Sequence, residues 1–392
     1  MENHMSKKVK ICLLCEYAYS LLTGEADEIG IGGAELQMTI LAKELAKRLY
    51  DVSFVTFQKT RTSFRLFENI KIYVPFDYKT SGYTYLLPWN IYKLLKILEI
   101  IDADIYIQKG KSPLISMISF YSKLKNKSFI HLLSSDNSAS SDLNIKTIKN
   151  LKNIIYRYGV KYCDYVICQT NHQKELLNNT IGKMGRVIKN MCIINQKENV
   201  RNKTNNLKVI WVGRLSKAKK PDLFLLLAKN IPDFRFWMIG AISSSEELNY
   251  YREIKESAKM IKNLDFIGFV PHNKIFGYYE KSYLLINTSP NEGFPNTFLE
   301  AWSCGIPVVS LNFDPDEIIC KYKLGFHSMT FDDLVKDIRL LLNNEELRIT
   351  MGINAKNYVL REHNIHSIMD EYEKIINEII DIEKSDHHKM RC

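Results

Sequence analysis

The sequence predicts an α/β protein made of two Rossmann-like βα domains, and three observations predict it. Short apolar runs of strand length alternate with helical patterns along most of the chain, as they do in parallel sheets with crossover helices. One polar, aperiodic stretch, QKENVRNKTNNLK (196–208), separates two such arrays and has the composition of a linker. The chain has 392 residues, 46% hydrophobic and 25% charged, enough for two cores of ordinary size in a folded soluble protein.

In the first array, VKICLLC (9–15), VSFVTF (52–57), IKIYVPF (70–76), DIYIQ (104–108), SFIHLL (128–133) and YVICQT (165–170) read as strands, and RVIKN (186–190) closes the set. Leu36, Ile40, Leu41, Leu45 and Leu49 recur at helical spacing and give a helix over 33–49 one apolar stripe. Beyond the linker come KVIWVG (208–213), FRFWMIG (234–240), LDFIGFV (264–270), SYLLINTS (282–289) and IPVVSLN (306–312). Pro221 suits the first position of the helix in PDLFLLLAKN. From 331 to 384 the pattern is helical throughout, and 386–392 reads as a disordered tail. The domain plan is 1–195, a linker over 196–206, a second domain over 207–358 and C-terminal helices over 359–385.

Eight cysteines without regular spacing do not form a disulfide framework. Cys12 and Cys15 have C-x-x-C spacing, but residues three apart on a strand face opposite ways. No second pair completes a zinc site, so both read as core. No apolar run approaches the roughly 20 residues of a membrane-spanning helix. Glu16 ends the ICLLC run too early for a secretory signal, so a cytoplasmic protein is expected.

The net charge of +10 is unevenly placed: residues 1–190 hold 27 Lys+Arg against 17 Asp+Glu, and the remainder 27 against 27. A basic first half suits an anionic partner such as a membrane surface, a diphosphate-linked lipid or nucleic acid. No aromatic–basic RNA motif accompanies the charge, so nucleic acid is not the expected partner. YLLPWNIYKLLKILEI (85–100), apolar with Lys93 and Lys96, reads equally as a membrane-surface helix and as one that covers the sheet.

The most informative segment is NEGFPNTFLEAWSCGIPVV, 291–309. A strand ends near Thr288 and a helix begins near Asn296, so residues 292–297 sit at the carboxyl edge of the sheet, where ligands bind. A helix start there presents backbone N–H groups suited to phosphate. Gly293 allows close backbone approach, and Pro295 stiffens the turn. Glu292 can accept hydrogen bonds from sugar hydroxyls, while Glu300, one turn into the helix, can grip a vicinal diol such as ribose.

This segment resembles the donor-site motif of glycosyltransferase family 4, retaining enzymes of the GT-B fold. In that family a Glu, seven residues and a second Glu are followed by Ala, a loop Gly and Pro-Val-Val; here these are Glu292, Glu300, Ala301, Gly305, Pro307, Val308 and Val309. VIWVGRLSKAKKPDLF resembles the family's strand–Gly-Arg-Leu–loop–Lys stretch and places Gly213, Arg214 and Lys219 at the end of the second domain's first strand. Two cations there would neutralise a nucleotide diphosphate. The family usually carries Gly after this Lys; here it is Lys220, which leaves Lys217, Lys219 and Lys220 open as the contact.

The resemblance further implies that the backbone at Gly268, Phe269 and Val270 reads the nucleobase, and that Gly293, Phe294, Asn296 and Thr297 line the donor site. In the first domain, Gly32 and Gly33 of IGIGGAELQMTILAKEL would form the glycine-rich loop that approaches the diphosphate or acceptor. By the resemblance, His131 would be the counterpart of the family's acceptor-domain His near the reacting sugar, although a His on a buried strand is more often a packed one. The C-terminal helices would return to the first domain, and the two domains would face each other across a cleft.

Three other motifs fall away. Gly-Ile-Gly-Gly-Ala-Glu (30–35) has Glu35 where a dinucleotide fingerprint needs Gly. Asp102/Asp104 precede their strand, and Asp314/Asp316 with Pro315 read as helix caps. His363 and His366 read as surface residues. The expected activity is retaining transfer from a UDP- or GDP-sugar to a hydroxyl of a glycan or lipid-linked glycan, as in cell-surface polysaccharide synthesis. No metal or other cofactor is expected, and peripheral contact with the anionic inner membrane face suits the basic half. The alternatives are another GT-B activity, such as a sugar-nucleotide epimerase or a phosphorylase, and a basic nucleic-acid-binding protein.

Overall fold

The computed structural model describes residues 8–25, 32–57, 63–76, 87–112, 114–140, 148–194, 208–242 and 247–389. The linker expected over 196–206 lies outside the described residues. Two compact units are formed. The first draws on the described residues of Met1–Glu25, Gly33–Ile188 and His366–Cys392, and the second is built on Lys189–Ile365.

In the first unit β1 (Lys10–Leu14), β2 (Asp51–Val55), β3 (Phe64–Phe67), β4 (Ile70–Tyr73), β5 (Ile105–Lys109), β6 (Ser128–Leu132), β7 (Tyr165–Cys168) and β8 (Arg186–Val187) form one sheet, ordered β3-β4-β2-β1-β5-β6-β7-β8. Its helices are α1 (Tyr19–Thr23), α2 (Gly33–Lys47), α3 (Pro88–Ile101), α4 (Leu114–Leu124), α5 (Asp136–Ala139), α6 (Ile148–Tyr162) and α7 (Asn171–Ile181). β5 is buried along its whole length because helices cover both faces. Cys12, Leu14, Tyr106 and Phe129 meet Leu98, Ile118 and Tyr156 in one core cluster.

All pairings in this sheet are parallel except β3 with β4. That hairpin was not expected from the sequence. Its turn residues Glu68 and Asn69 both hold positive φ, 47° and 64°, the geometry of a two-residue hairpin turn. RVIKN is a strand only at Arg186–Val187, and Lys189 already belongs to the second unit.

In the second unit β9 (Lys208–Val212), β10 (Phe236–Ile239), β11 (Leu264–Gly268), β12 (Ser282–Asn287), β13 (Val308–Leu311) and β14 (Gly325–Ser328) form an all-parallel sheet, ordered β11-β10-β9-β12-β13-β14. The helices are α8 (Pro221–Asn230), α9 (Leu248–Lys259), α10 (His272–Tyr279), α11 (Asn296–Ser303), α12 (Ile318–Tyr322), α13 (Phe331–Asn343) and α14 (Glu345–Glu362). Short GFHS lacks an apolar alternation, so β14 was not expected. Gly325 makes it possible, since a Cβ there would lie 1.8 Å from the Val308 carbonyl oxygen.

The last helix, α15 (Ile365–Lys389), belongs from His366 onward to the first unit. The crossing therefore comes after α14 and not at 359, and residues 386–389 are helical, not a disordered tail. Among the described residues no helix is long and apolar enough to cross a membrane. In each sheet the strand order reverses beside the unit's first strand, between β1 and β5 and between β9 and β12. Such switch points open a crevice at the strands' carboxyl ends.

Candidate active site

At the carboxyl ends of β9 and β12 two loops are bolted together. After β9 the chain runs through Gly213 and Arg214 into a single turn at Lys217–Lys219, then α8. Trp211 Nε1 donates to Thr288 Oγ1 at 2.9 Å, and Thr288 Oγ1 donates to the Lys219 carbonyl at 2.7 Å. Asn287 Nδ2 donates to Ser310 Oγ at 3.0 Å, and its Oδ1 accepts the Ser289 N–H at 3.2 Å. Gly240, at the end of β10, leaves room for this frame: a Cβ there would sit 2.0 Å from the Gly213 carbonyl oxygen.

Within that frame Lys219 and Glu292 form an ion pair, with side chains only 21% and 16% exposed. Such partial burial screens the pair less than water would. Lys217 is exposed beside the Tyr250 ring, 5.8 Å from its centroid, and Lys220 is exposed. Of the three lysines left open by the sequence, Lys219 is the one brought to Glu292. Arg214 is exposed at the same strand end, and its guanidinium has no hydrogen-bond or ion-pair partner among the described residues.

Lys220 holds φ 47° as it joins the turn to α8. In that left-handed conformation a Cβ crowds the backbone, which gives a physical reason for glycine at this position in the family the sequence resembles.

Glu300, the fifth residue of α11, is 9% exposed. Its Oε2 accepts from the Tyr279 hydroxyl at 2.9 Å, and its Oε1 lies 3.1 Å from His272 Nε2. Burial, and then the Glu300 charge, push the Tyr279 phenol well above its ordinary value, which keeps it a donor. His272 and Tyr279 are the ends of α10, which starts just beyond Gly268, Phe269 and Val270. Gly268 has φ 78°, and its carbonyl accepts the Gly240 N–H at 2.9 Å. Phe269 and Val270 are half-buried at the same sheet edge.

Sequence reasoning missed the layer behind α11. Asn190 Nδ2 donates to the Phe294 carbonyl and to Asn296 Oδ1, both at 3.1 Å. The Asn190 carbonyl in turn lies 2.7 Å from His363 Nδ1. His363 is fully buried, its ring 4.8 Å from that of Phe294, so the surface reading of His363 is corrected. It caps α14, and that cap is turned into the core. Gly293 and Phe294 are buried and Thr297 half-buried, while α11 begins without a side-chain cap.

Gly33 and His131 belong to the first unit. Gly33 is the exposed first residue of α2. His131 is fully buried. Gln108 Nε2 donates to the carbonyls of Lys109 and Gly110 at 3.0 and 3.1 Å, which makes its Oε1 the acceptor for His131 Nδ1 at 2.8 Å. His131 Nε2 is 3.0 Å from the Tyr156 hydroxyl, and burial lowers its pKa to about 3. This geometry is that of a neutral core histidine with both nitrogens engaged, and it gives no support to contact with a sugar.

Chemically, Lys219, Arg214 and the start of α11 together can hold an anion of phosphate type. Glu292 and Glu300 can accept hydrogen bonds from hydroxyls. Asp314 accepts the backbone N–H groups of Ile319 and Cys320 at 2.8 and 3.1 Å, the helix cap the sequence suggested.

Comparison with known proteins agrees with this layout. Residues 193–358 match the family described as Glycosyl transferases group 1, and residues 31–191 match Glycosyltransferase Family 4. An uncharacterized glycosyltransferase of Haemophilus influenzae is 28% identical over 362 residues, covering 88% of this chain and 96% of that protein. Sucrose-phosphate synthase from Thermosynechococcus elongatus superposes with a TM-score of 0.79 at 16% identity, covering 96% of this chain and 100% of that one. Anabaena HepE in complex with UDP and glucose gives 0.71 at 17% identity, covering 94% and 99%.

Proposed function

We propose, from the premise that this chain belongs to glycosyltransferase family 4 and is a glycosyltransferase of the GT-B fold, that it moves a sugar from a UDP- or GDP-sugar to a hydroxyl of a glycan or lipid-linked glycan, with retention of anomeric configuration. The observation that carries this reading is the convergence of Lys219, Glu292 and Glu300 at the carboxyl edge of one sheet. Lys219 and Arg214 take the diphosphate and stabilise it as it leaves. Glu292 holds the sugar, and Glu300, oriented by Tyr279 and His272, holds the ribose. The backbone at Gly268–Val270 meets the base. The UDP and glucose bound to Anabaena HepE support a nucleotide-linked donor. The chemistry needs no metal on this reading, because fixed cations serve the leaving group.

The acceptor is taken by the first unit, which works against the anionic inner face of the membrane. Trp89, Tyr92 and Ile100 on α3, with Phe120 and Leu124 on α4, are 57–71% exposed. Lys93, Lys96, Lys123 and Lys125 lie among them, a pairing suited to an interface rich in anionic lipid.

Two experiments test the reading. Nucleoside diphosphate should be released from a UDP- or GDP-sugar when an extract of lipid-linked glycans is supplied, and absence of release with every donor–acceptor pair would end the transferase reading. Protein should sediment with vesicles containing phosphatidylserine more than with neutral ones; equal sedimentation would remove the preference for an anionic membrane face.

A further inference from the structure

A second cluster lies at the outer edge of the same sheet, away from β9. Asp314 follows β13, Cys320 is on α12 and His327 is on the edge strand β14. A carboxylate oxygen, the thiol sulfur and an imidazole nitrogen from these three all lie within 4.8 Å of one another. Bonds of about 2.0–2.3 Å around a zinc ion bring its ligands within about 4 Å of each other, so a small side-chain adjustment closes the set.

Each donor is prepared in a different way. Both Asp314 oxygens already accept backbone N–H groups, from Ile319 at 2.8 Å and Cys320 at 3.1 Å. Those bonds orient the carboxylate and leave it lone pairs for a cation. Burial, and then the Asp314 charge beside it, raise the Cys320 thiol above its ordinary value, so it holds its proton until a cation displaces it. His327 Nε2 is buried with no hydrogen-bond partner among the described residues, which folded proteins rarely leave so. Cys320 is the exposed one among the described free cysteines, which gives an ion a way in.

We propose that Asp314, Cys320 and His327 bind a zinc-class divalent cation that ties α12 to the edge strand β14. A sulfur–nitrogen–oxygen set suits zinc and its surrogate cobalt, and three protein ligands leave a fourth position for water. On binding, the sulfur–metal bond forms as the Cys320 thiol gives its proton to solvent. The site does not depend on the donor reading, since its three residues follow β13 or lie on α12 and β14 and include none of the proposed donor residues.

The test is a cobalt(II) titration of the chelator-treated 392-residue chain. One equivalent should produce a thiolate-to-cobalt charge-transfer band. Cys320→Ser should abolish that band, and His327→Gln should weaken cobalt binding by at least about tenfold. The C-terminal residues His387, His388 and Cys392 offer another thiol and more imidazoles, so a band that survives Cys320→Ser overturns the assignment. So does the absence of any band in the unaltered protein. Zinc should also raise the melting temperature of the unaltered chain more than that of Cys320→Ser; equal shifts count against the site.

Discussion

The ammonium of Lys219 is ion-paired with the carboxylate of Glu292, 73 residues away in sequence. The group proposed to neutralise a leaving diphosphate and the one proposed to hold the sugar are therefore each other's partner. Each keeps the other in place at a partly buried sheet edge, and a donor that engages both must share or exchange the contact. This coupling makes them act as a unit, with consequences for mutation.

Lys219→Ala is expected to lower kcat by about 10²–10³-fold, the scale of losing one charge-stabilising donor. Glu292→Gln should also reduce turnover. The double substitution should lose little more than the worse single one, because residues that act together are strongly non-additive. Kinetics on all three variants checks this, and additive losses would separate the two roles.

Tyr279→Phe removes one of the two side-chain partners that buried Glu300 has among the described residues. Losing a donor to a buried carboxylate costs about 1–3 kcal/mol, so the urea midpoint should fall and the affinity for nucleoside diphosphate should weaken. Glu300→Ala should weaken that affinity more. Calorimetric titration showing unchanged affinity in Glu300→Ala would remove the residue from the site.

Lys220→Gly relieves a left-handed lysine at φ 47°. Strain of about 1–2 kcal/mol, less about 0.4–1 kcal/mol for a more flexible unfolded chain, leaves a net gain on the order of 1 kcal/mol. Denaturant unfolding should show the variant more stable, and a loss of stability would mean the turn draws on the lysine side chain.

His363 is held neutral: burial first, aided by nearby Lys189, lowers its pKa from 6.5 to about 4. Between those values the unfolded chain binds a proton that the native state does not. Its contribution is therefore present above pH 6.5 and is lost as pH falls toward 4, by about 1.4 kcal/mol per pH unit. His131, lowered to about 3, acts in the same direction in the first unit. Urea midpoints between pH 7 and 5 should fall steeply in the unaltered protein and less so in His363→Gln; parallel slopes would contradict the assignment.

The parallel strands were legible because their apolar runs are buried on both faces, and the donor edge because Glu292, Glu300 and the Pro-Val-Val run lie in one local segment. What escaped the sequence depends on long-range contact. β14 exists only because Gly325 lets it press against Val308. Asn190 and His363 lie 173 residues apart and carry no local signal of their bond, yet they brace the start of α11. His131 shows the converse. Its position on a strand was readable, but only the surrounding Gln108 and Tyr156 reveal a packed imidazole.

The central claim is that a nucleoside diphosphate is held at Lys219 on the second unit, and thermal denaturation across a UDP and GDP titration tests it most directly. At 100 times its dissociation constant, the preferred nucleotide should stabilise the protein by about 2.7 kcal/mol, with the shift largely lost in Lys219→Ala. No saturable shift with either nucleotide, or an equal shift in Lys219→Ala, would contradict the account.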